Sequence, residues 1–251
     1  MTKKAIFAVI LLFVITIAFT NGLYSQLFTN PRLSFGVVTT NILGDNRAKL
    51  PMVATDDEEN AYTGGSFGFT QPGLRFLATF PETTNDDLRF NASIDYLFFS
   101  GRERIVINRN IVHLLRHDVN LLGFGAGADY VLLDLGFANA KFVAGAEIKG
   151  YYLHGISAEI YEDYLNENSN DNVYKHTPKS SAFRLGGSVK FGVEGRLRKN
   201  IFVNAGVGLG AINLLGRDDA RGELLTPLTL FENSEALVST FNVYILLQYN
   251  L

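Results

Sequence analysis

The sequence contains no cysteine and no tryptophan, and only 6 of its 251 residues are proline. Without cysteine there can be no disulfide framework, thiolate zinc site, cysteine nucleophile or lipid anchor on an N-terminal cysteine. An excess of either charge is also missing, since 22 basic residues face 25 acidic ones and the formal net charge is −3. Because there is no basic run of the kind that follows a phosphate backbone, we expect no nucleic-acid partner.

Long apolar runs are absent except at the N-terminus. Lys3 and Lys4 precede an apolar stretch over 5–19, which is shorter than the ~20 residues that a membrane-spanning helix needs. We predict a cleaved signal peptide over residues 1–25 and one domain over residues 26–251. Cleavage after Gly22 and an uncleaved anchor helix are the alternatives.

Motifs for catalysis and cofactor binding are missing as well. No Walker, Rossmann, nucleophile-elbow or zinc pattern is present. His113 and His117 have the spacing that binds a metal on a helix, but residues four apart on a strand are separated by about 13 Å. The acidic run 56–59 and the stretch 168–172 could bind divalent cations or lipopolysaccharide phosphates, although solvated loop charge also explains them. We predict no catalytic residue, no metal site, no cofactor and no enzymatic activity.

Apolar and polar residues alternate along most of the chain. From Leu88 to Phe98, apolar residues at even positions alternate mainly with ionic and amide residues such as Arg89 and Asp95. A period of two is typical of a strand with one apolar face. The same pattern predicts strands over 31–40, 65–80, 88–98, 119–131, 140–153, 182–197, 201–215 and 237–251. In the second of these the apolar parity switches at Gln71–Gly73, which predicts a β-bulge there.

The connections between these strands alternate in length. Long loops over 41–64, 100–118, 154–181 and 216–236 alternate with short turns near 84, 135 and 199, and we expect the long loops on the outer side. Within the second loop, the apolar residues at 105–107 and 111–115 favour a hairpin that extends beyond the membrane. The last strand is apolar to Leu251, so it needs a strand partner, and the first strand is the natural one. The sequence predicts an all-β fold, a closed antiparallel up-and-down transmembrane β-barrel of about eight strands. A soluble lipocalin-type barrel with an apolar interior is the alternative.

The closing strand resembles the C-terminal strand of bacterial outer-membrane β-barrels, which ends in an aromatic or apolar residue. Tyr249 and Leu251 match this pattern, although Phe is the commonest last residue in that family. The chain is similar to small barrels of the OmpA/OmpX type. This resemblance implies location in the bacterial outer membrane, contact with its lipid and lipopolysaccharide, and an assembly signal at Tyr249 and Leu251 that the barrel-assembly machinery recognises.

The resemblance leaves the role open, because members of the family are structural envelope proteins, adhesins, narrow pores or lipid enzymes. His154 and Ser157 resemble the His and Ser of lipid A deacylase barrels, but their spacing differs. We expect a structural or surface-interaction role, with a possible extracellular ligand bound through the loops. A narrow pore or transporter is the second hypothesis, and a lipid-modifying enzyme is the third.

Charged residues of both signs lie on the predicted inner face. Buried ions must be paired, so we expect these side chains to plug the barrel, while glycines over 123–127 and 206–210 make room for long Arg and Lys side chains. A gated ion path is the alternative. The predicted interior charges are Arg32, Arg75, Arg89, Asp95, Asp129, Lys141, Glu147, Lys149, Arg184, Lys190, Glu194 and Arg196.

Overall fold

The computed structural model describes residues 31–44, 48–49, 66–82, 87–164, 172–176, 181–213 and 237–251. The predicted signal peptide, the acidic run 56–59 and residues 168–171 lie outside these ranges. None of the described residues belongs to a helix long and apolar enough to cross a membrane, a finding without bearing on chains that cross with strands. The strands are β1 (Arg32–Ile42), β2 (Gln71–Pro81), β3 (Leu88–Val106), β4 (Ile111–Leu135), β5 (Ala140–Tyr164), β6 (Asn172–His176), β7 (Ser181–Arg198), β8 (Ile201–Ile212) and β9 (Val238–Asn250).

Eight of these strands form a closed antiparallel ring. The order around it is β1, β2, β3, β4, β5, β7, β8 and β9, and β9 pairs with β1 from Arg32↔Asn250 to Ile42↔Thr240. The ninth, β6, lies outside the ring and pairs with the far end of β5. Closure leaves the ring without an edge strand, which satisfies the backbone groups that an open sheet would expose. The predicted eight-stranded barrel is confirmed.

The two faces of the barrel wall differ in chemistry. Outward-facing side chains are large and apolar, and many are well exposed, including Phe35, Ile148 and Leu185, which are 58%, 75% and 62% exposed. Inward-facing residues include buried Arg89, at 2%. A soluble barrel would show the opposite polarity. A continuous apolar exterior is stable only against lipid, so this is a transmembrane barrel.

Three strands are much longer than a membrane requires. A tilted strand crosses the hydrocarbon layer with about 9–11 residues, whereas β3 has 19 residues and β4 and β5 have 25 each. Residues 100–106, 111–118, 154–164 and 172–176 therefore form a sheet beyond the barrel, named here the projecting sheet. The prediction of loops over 100–118 and 154–181 is wrong in this respect, whereas the extended hairpin predicted from the apolar residues at 105–107 and 111–115 is confirmed.

The predicted β-bulge at Gln71–Gly73 is wrong. β2 begins at Gln71, and its pairing with β1 runs without a break from Thr40↔Gln71 to Arg32↔Thr79. Phe67 precedes the strand and is fully buried at the barrel mouth, where its backbone N–H donates to the carbonyl of Ala48 at 2.9 Å. The parity changes because the strand starts later than predicted, so no extra residue is needed.

Candidate functional site

Near the turn end of the lumen, Glu194 on β7 binds two guanidinium groups from other strands. Arg89 on β3 donates from Nη1 to Oε2 of Glu194 at 2.8 Å, and Arg32 on β1 donates to its other oxygen. Glu194 and Arg89 are buried, and the Arg32 side chain is 14% exposed. One carboxylate thus joins three strands that are distant in sequence.

A second cluster lies further along the lumen. Glu147 accepts hydrogen bonds from Arg75 and from the hydroxyl of Ser93. Lys149 donates to Asp95, and its Nζ lies 3.4 Å from Oε2 of Glu147. Nε of Arg75 is also 3.5 Å from Asp95 Oδ1. Two cations and two carboxylates from β2, β3 and β5 therefore neutralise one another in a buried network.

Two further buried cations line the same lumen. Nζ of Lys190 on β7 lies 2.9 Å from Oδ1 of Asp129 on β4. Arg184 is buried, and its Nη1 donates to the carbonyl oxygen of Phe183 at 3.2 Å. Of the twelve predicted interior charges, the structure brings ten into the lumen: Arg32, Arg75, Arg89, Asp95, Asp129, Glu147, Lys149, Arg184, Lys190 and Glu194.

The other two predicted interior charges lie at the rim. Lys141 is 3.6 Å from Asp134 on β4, whose side chain is 74% exposed. Arg196 is exposed, because a register shift between Arg196 and Arg198 occurs where β7 reaches its turn. Placement of these two residues in the interior was wrong. Alternation gives the face of a strand, but it does not show where the barrel ends.

Two tyrosines that were not predicted as site residues, Tyr151 and Tyr244, are buried in the lumen. Tyr244 lies over two glycines, and a Cβ on Gly192 would stand 2.7 Å from its hydroxyl. Tyr151 covers Gly123 and Gly186 in the same way, with a Cβ on either 2.9 Å from its ring. The guanidinium of Arg75 lies 5.5 Å from the centre of the Tyr244 ring.

The glycines therefore accommodate tyrosine rings, in addition to the charged side chains for which they were predicted to make room. Gly125 alone matches that expectation closely, because a Cβ there would lie 3.1 Å from Cγ of Lys149. The position of Tyr244 could have been predicted from the sequence, because it lies on the same face of its strand as the polar residues Thr240 and Asn242.

Toward the loop end, the lumen becomes apolar. Leu97, Leu121, Leu153 and Leu246 are at most 4% exposed and belong to one packed cluster. Phe67 lies above them, with its ring centroid 5.5 Å from that of Phe99 and 4.9 Å from that of His117. This apolar layer was not predicted, although Leu97 lies on the polar face of its predicted strand.

A cavity of about 10 Å³ lies beside Asp129, Lys190, Asn204 and Tyr244, which is enough for about one water molecule. Ionic groups fill one half of the lumen and apolar groups the other.

The outward-facing side of the projecting sheet carries a cluster of two arginines and one carboxylate. Nη1 of Arg102 donates to Oδ1 of Asp118 at 3.0 Å, and Nε of Arg116 donates to Oδ2 at 2.9 Å. Partial burial alone would raise the pKa of Asp118. Hydrogen bonds, chiefly those from Arg102 and Arg116, together have the opposite effect, so the pKa of this carboxyl lies below its usual range. The hydrogen bond to Asp118 also raises the pKa of Arg116.

Histidines of the projecting sheet have separate environments. Nε2 of His113 lies 3.2 Å from Oε1 of Glu162, and Tyr164 donates to the other oxygen of that carboxylate at 2.9 Å. His117 packs in the mouth instead, against Phe67. In the part of the chain that the structure describes, no group of three metal-ligating side chains comes together.

Aromatic side chains mark the level at which the barrel meets the projecting sheet. The His154 ring centroid is 5.7 Å from that of Tyr96 and 5.8 Å from that of Tyr152. Such rings are typical of membrane interfaces. At the opposite end of the barrel, Tyr249 and Leu251 are exposed on the apolar exterior.

Comparison with protein-family models finds no match, and comparison with curated proteins also finds no match. Among solved structures, Neisserial surface protein A (NspA) aligns over 89% of this chain and 98% of its own, with 14% identity and a TM-score of 0.46. Ail, the attachment invasion locus protein of Yersinia pestis, aligns in a complex with the heparin analogue sucrose octasulfate over 88% of this chain and 98% of its own, with 9% identity and a TM-score of 0.39. A second Ail structure covers 88% of this chain and 99% of its own, with 10% identity and a TM-score of 0.34.

The ring closure, the apolar exterior and the ionic lumen are properties of this chain's own structure. Together they require lipid outside the barrel and exclude the lipocalin-type alternative, in which the apolar face points inward. The chain is a small membrane protein that forms an eight-stranded transmembrane β-barrel.

Proposed function

We propose that this protein resides in the bacterial outer membrane and contacts molecules outside the cell through its projecting sheet. The observation that carries the proposal is the length of β3, β4 and β5, which continue well beyond the apolar belt. A barrel with only a structural role needs no ordered sheet there. Val106 and Ile107 are 63% and 52% exposed at the tip, above exposed arginines, and such a mixed surface suits a protein or glycan partner.

We further propose that the lumen is a plug, with conduction as the alternative. The buried ion pairs of Glu194 and Glu147 and the apolar layer around Leu121 support this role, because a permeating ion would have to separate the pairs and cross a dry constriction. In planar bilayers we expect conductance near zero. Steady, ion-selective conductance of the parent protein would favour the pore alternative.

We also propose that the protein has no catalytic activity. His154 packs between aromatic rings at the membrane interface, and Ser157 faces Asp118 across the β4–β5 pairing. Among the described contacts, Asp118 accepts hydrogen bonds from Arg102 and Arg116, and none joins the Ser157 hydroxyl to a base. Incubation with lipid A followed by mass spectrometry should show no change in acyl composition; loss of an acyl chain would contradict this part of the proposal.

Shortening the projecting sheet tests the proposed contact role. Residues 103–115 are replaced by Asn-Gly, which joins the paired residues Arg102 and Arg116 by a two-residue turn. We expect the shortened barrel to fold, because the strand segments within the membrane are unchanged. Bacteria displaying it should adhere to an epithelial monolayer and to immobilised heparin several-fold less than bacteria displaying the parent.

The matched control replaces the turn 136–139 at the opposite end of the barrel, which should leave adherence unchanged. Heat-modifiable migration on SDS gels reports the folding of each variant. If the shortened and parent proteins support equal adherence, or if the parent supports none, the contact role is wrong.

A further inference from the structure

Arg102 and Arg116 lie side by side on the outward face of the projecting sheet, and Asp118 fixes both. The two arginines are direct partners across the β3–β4 pairing. Their side chains are 46% and 50% exposed, whereas Asp118 is 27% exposed beneath them. A shared carboxylate thus holds two cations in a defined geometry at an open surface.

The height of this pair follows from its strand. Phe98 is an exposed, lipid-facing residue, and Arg102 follows it by four positions on the same side, about 13 Å along the strand. For a strand tilted by about 40°, this corresponds to roughly 10 Å above the apolar belt. The polar layer of a bilayer begins directly above the hydrocarbon, so the pair lies at the level of lipid headgroups.

The hydrogen bonds of the pair leave donors available. A guanidinium has five N–H donors, and Arg116 uses only Nε on Asp118 among the described contacts, so both of its terminal nitrogens can donate outward. Glu159 pairs with Arg116 across β4–β5, and Lys175 pairs with Glu159 across β5–β6, so Arg102, Arg116 and Lys175 exceed Asp118 and Glu159 by one positive charge. Planar, fixed guanidinium groups match phosphate oxygens in geometry and charge.

We propose that Arg102 and Arg116, held together by Asp118, bind the phosphate of a lipid headgroup in the outer leaflet. A lipid suits this site better than a long soluble polyanion because acidic and apolar residues interrupt the basic surface. Glu159 follows Arg116 across the β4–β5 pairing, and the next row above holds Leu114 and Tyr161 beside Arg104. A long anionic chain would meet a carboxylate and apolar side chains, whereas one headgroup phosphate needs only the pair.

Retention of lipid A tests this site. The barrel is refolded into phosphatidylcholine vesicles that contain diphosphorylated lipid A or the same lipid with its phosphates removed, and lipid A retained after extraction is measured by mass spectrometry. The parent should retain the phosphorylated form selectively. The double variant R102Q/R116Q should retain about 25-fold less, since each arginine near a membrane surface contributes about fivefold.

Arg104→Gln is the matched control, because Arg104 lies on the same strand and face but higher, and it should retain within twofold of the parent. If the double variant fails to fold, Arg116→Gln alone should lower retention about fivefold. Equal retention of dephosphorylated lipid A, or an Arg104→Gln loss as large as that of the pair, would overturn the proposal. Displacement of the lipid by heparin at matched anion concentration would assign the site to soluble anions instead.

Discussion

Glu194 is the residue on which two buried guanidinium groups depend, those of Arg32 and Arg89. Substitution by Gln keeps the shape and removes the charge, so Arg32 and the buried Arg89 both lose the carboxylate to which they donate. We expect Glu194→Gln to lower the free energy of unfolding by about 3 kcal/mol or more. Urea unfolding in lipid vesicles, followed by tyrosine fluorescence because the chain has no tryptophan, measures this loss.

The control for Glu194→Gln is Asp134→Asn, which removes an exposed carboxylate from its ion pair with Lys141. An exposed pair of this kind contributes about 1 kcal/mol or less. A Glu194→Gln variant as stable as the Asp134→Asn variant would show that the lumen charges do not need one another.

Asp118 gives a pH dependence that is confined to the base of the projecting sheet. Its pKa is lowered in the folded protein from an ordinary value of 3.8, so its contribution to stability is complete above that value. The contribution disappears only as the pH falls further, through the lowered pKa. Amide hydrogen exchange of residues 100–106 should therefore be protected to the same degree from pH 7 down to about 4, after correction for intrinsic exchange rates.

Below that range, protection in the parent should fall, whereas Asp118→Asn should lack this acid-dependent step. Loss of protection near pH 6 in the parent, the range in which histidine side chains titrate, would contradict the role given to Asp118.

At the scale of strands, the seam between β1 and β9 depends on Gly36. A Cβ at this position would collide with the backbone carbonyl of Ile245 and stand 2.8 Å from Cα of Leu246. Backbone atoms in a paired strand cannot move aside without loss of hydrogen bonds. We expect Gly36→Ala to reduce the yield of folded, heat-modifiable barrel several-fold during refolding into vesicles.

Gly68→Ala is the matched control for the seam, since a Cβ at Gly68 meets nothing within 4 Å, and it should refold like the parent. Equal yields from the two variants would show that the seam tolerates the extra methyl group.

The strands within the membrane could be predicted from the sequence because lipid on one side and a packed lumen on the other impose a strict period of two. Leu88 to Phe98 is the clearest case. The start of β2 could not be predicted in this way, because Phe67 continues the apolar pattern of a strand to which it does not belong. Its burial depends on Phe99 and His117, which lie far along the chain.

The lumen was predicted less completely than the wall. Alternation identified Arg75, Asp95 and Glu147 as inward-facing residues, but the pairs among them depend on the strand register. No sequence period reports this register. The apolar layer could not be predicted for the same reason. A single leucine on the polar face of a strand does not indicate a layer, and only the register shows that leucines from four strands lie at the same height in the lumen.

At the scale of the whole molecule, β9 joins the two ends of the ring. Tyr249 is paired with Leu33 on one side and with Ile201 on the other, and the Leu251 N–H donates to the Pro31 carbonyl at 3.0 Å. We expect deletion of Tyr249–Leu251 to leave unfolded protein in the periplasm. Leu251→Phe should assemble at least as well as the parent, as fractionation and heat-modifiability would show. Normal membrane yield of the truncated chain would contradict closure by this strand.

The orientation of the barrel is a separate expectation. An epitope inserted beside Asn170 should be labelled on intact cells, because the long connections are predicted to face outward. An epitope beside Lys199 should be labelled only after permeabilisation, and surface labelling at that position would reverse the assignment.

The ion pairs of the lumen join β1 to β7, β3 to β7 and β2 to β5, across 162, 105 and 72 residues of sequence. A strand that slipped by two residues would keep its apolar face toward lipid, so the exterior alone does not detect the error. The slipped strand would, however, move its charge past its counter-ion and leave both buried without a partner. We infer that the ionic lumen acts as a register check during assembly, since only the correctly aligned barrel can close over neutralised charges.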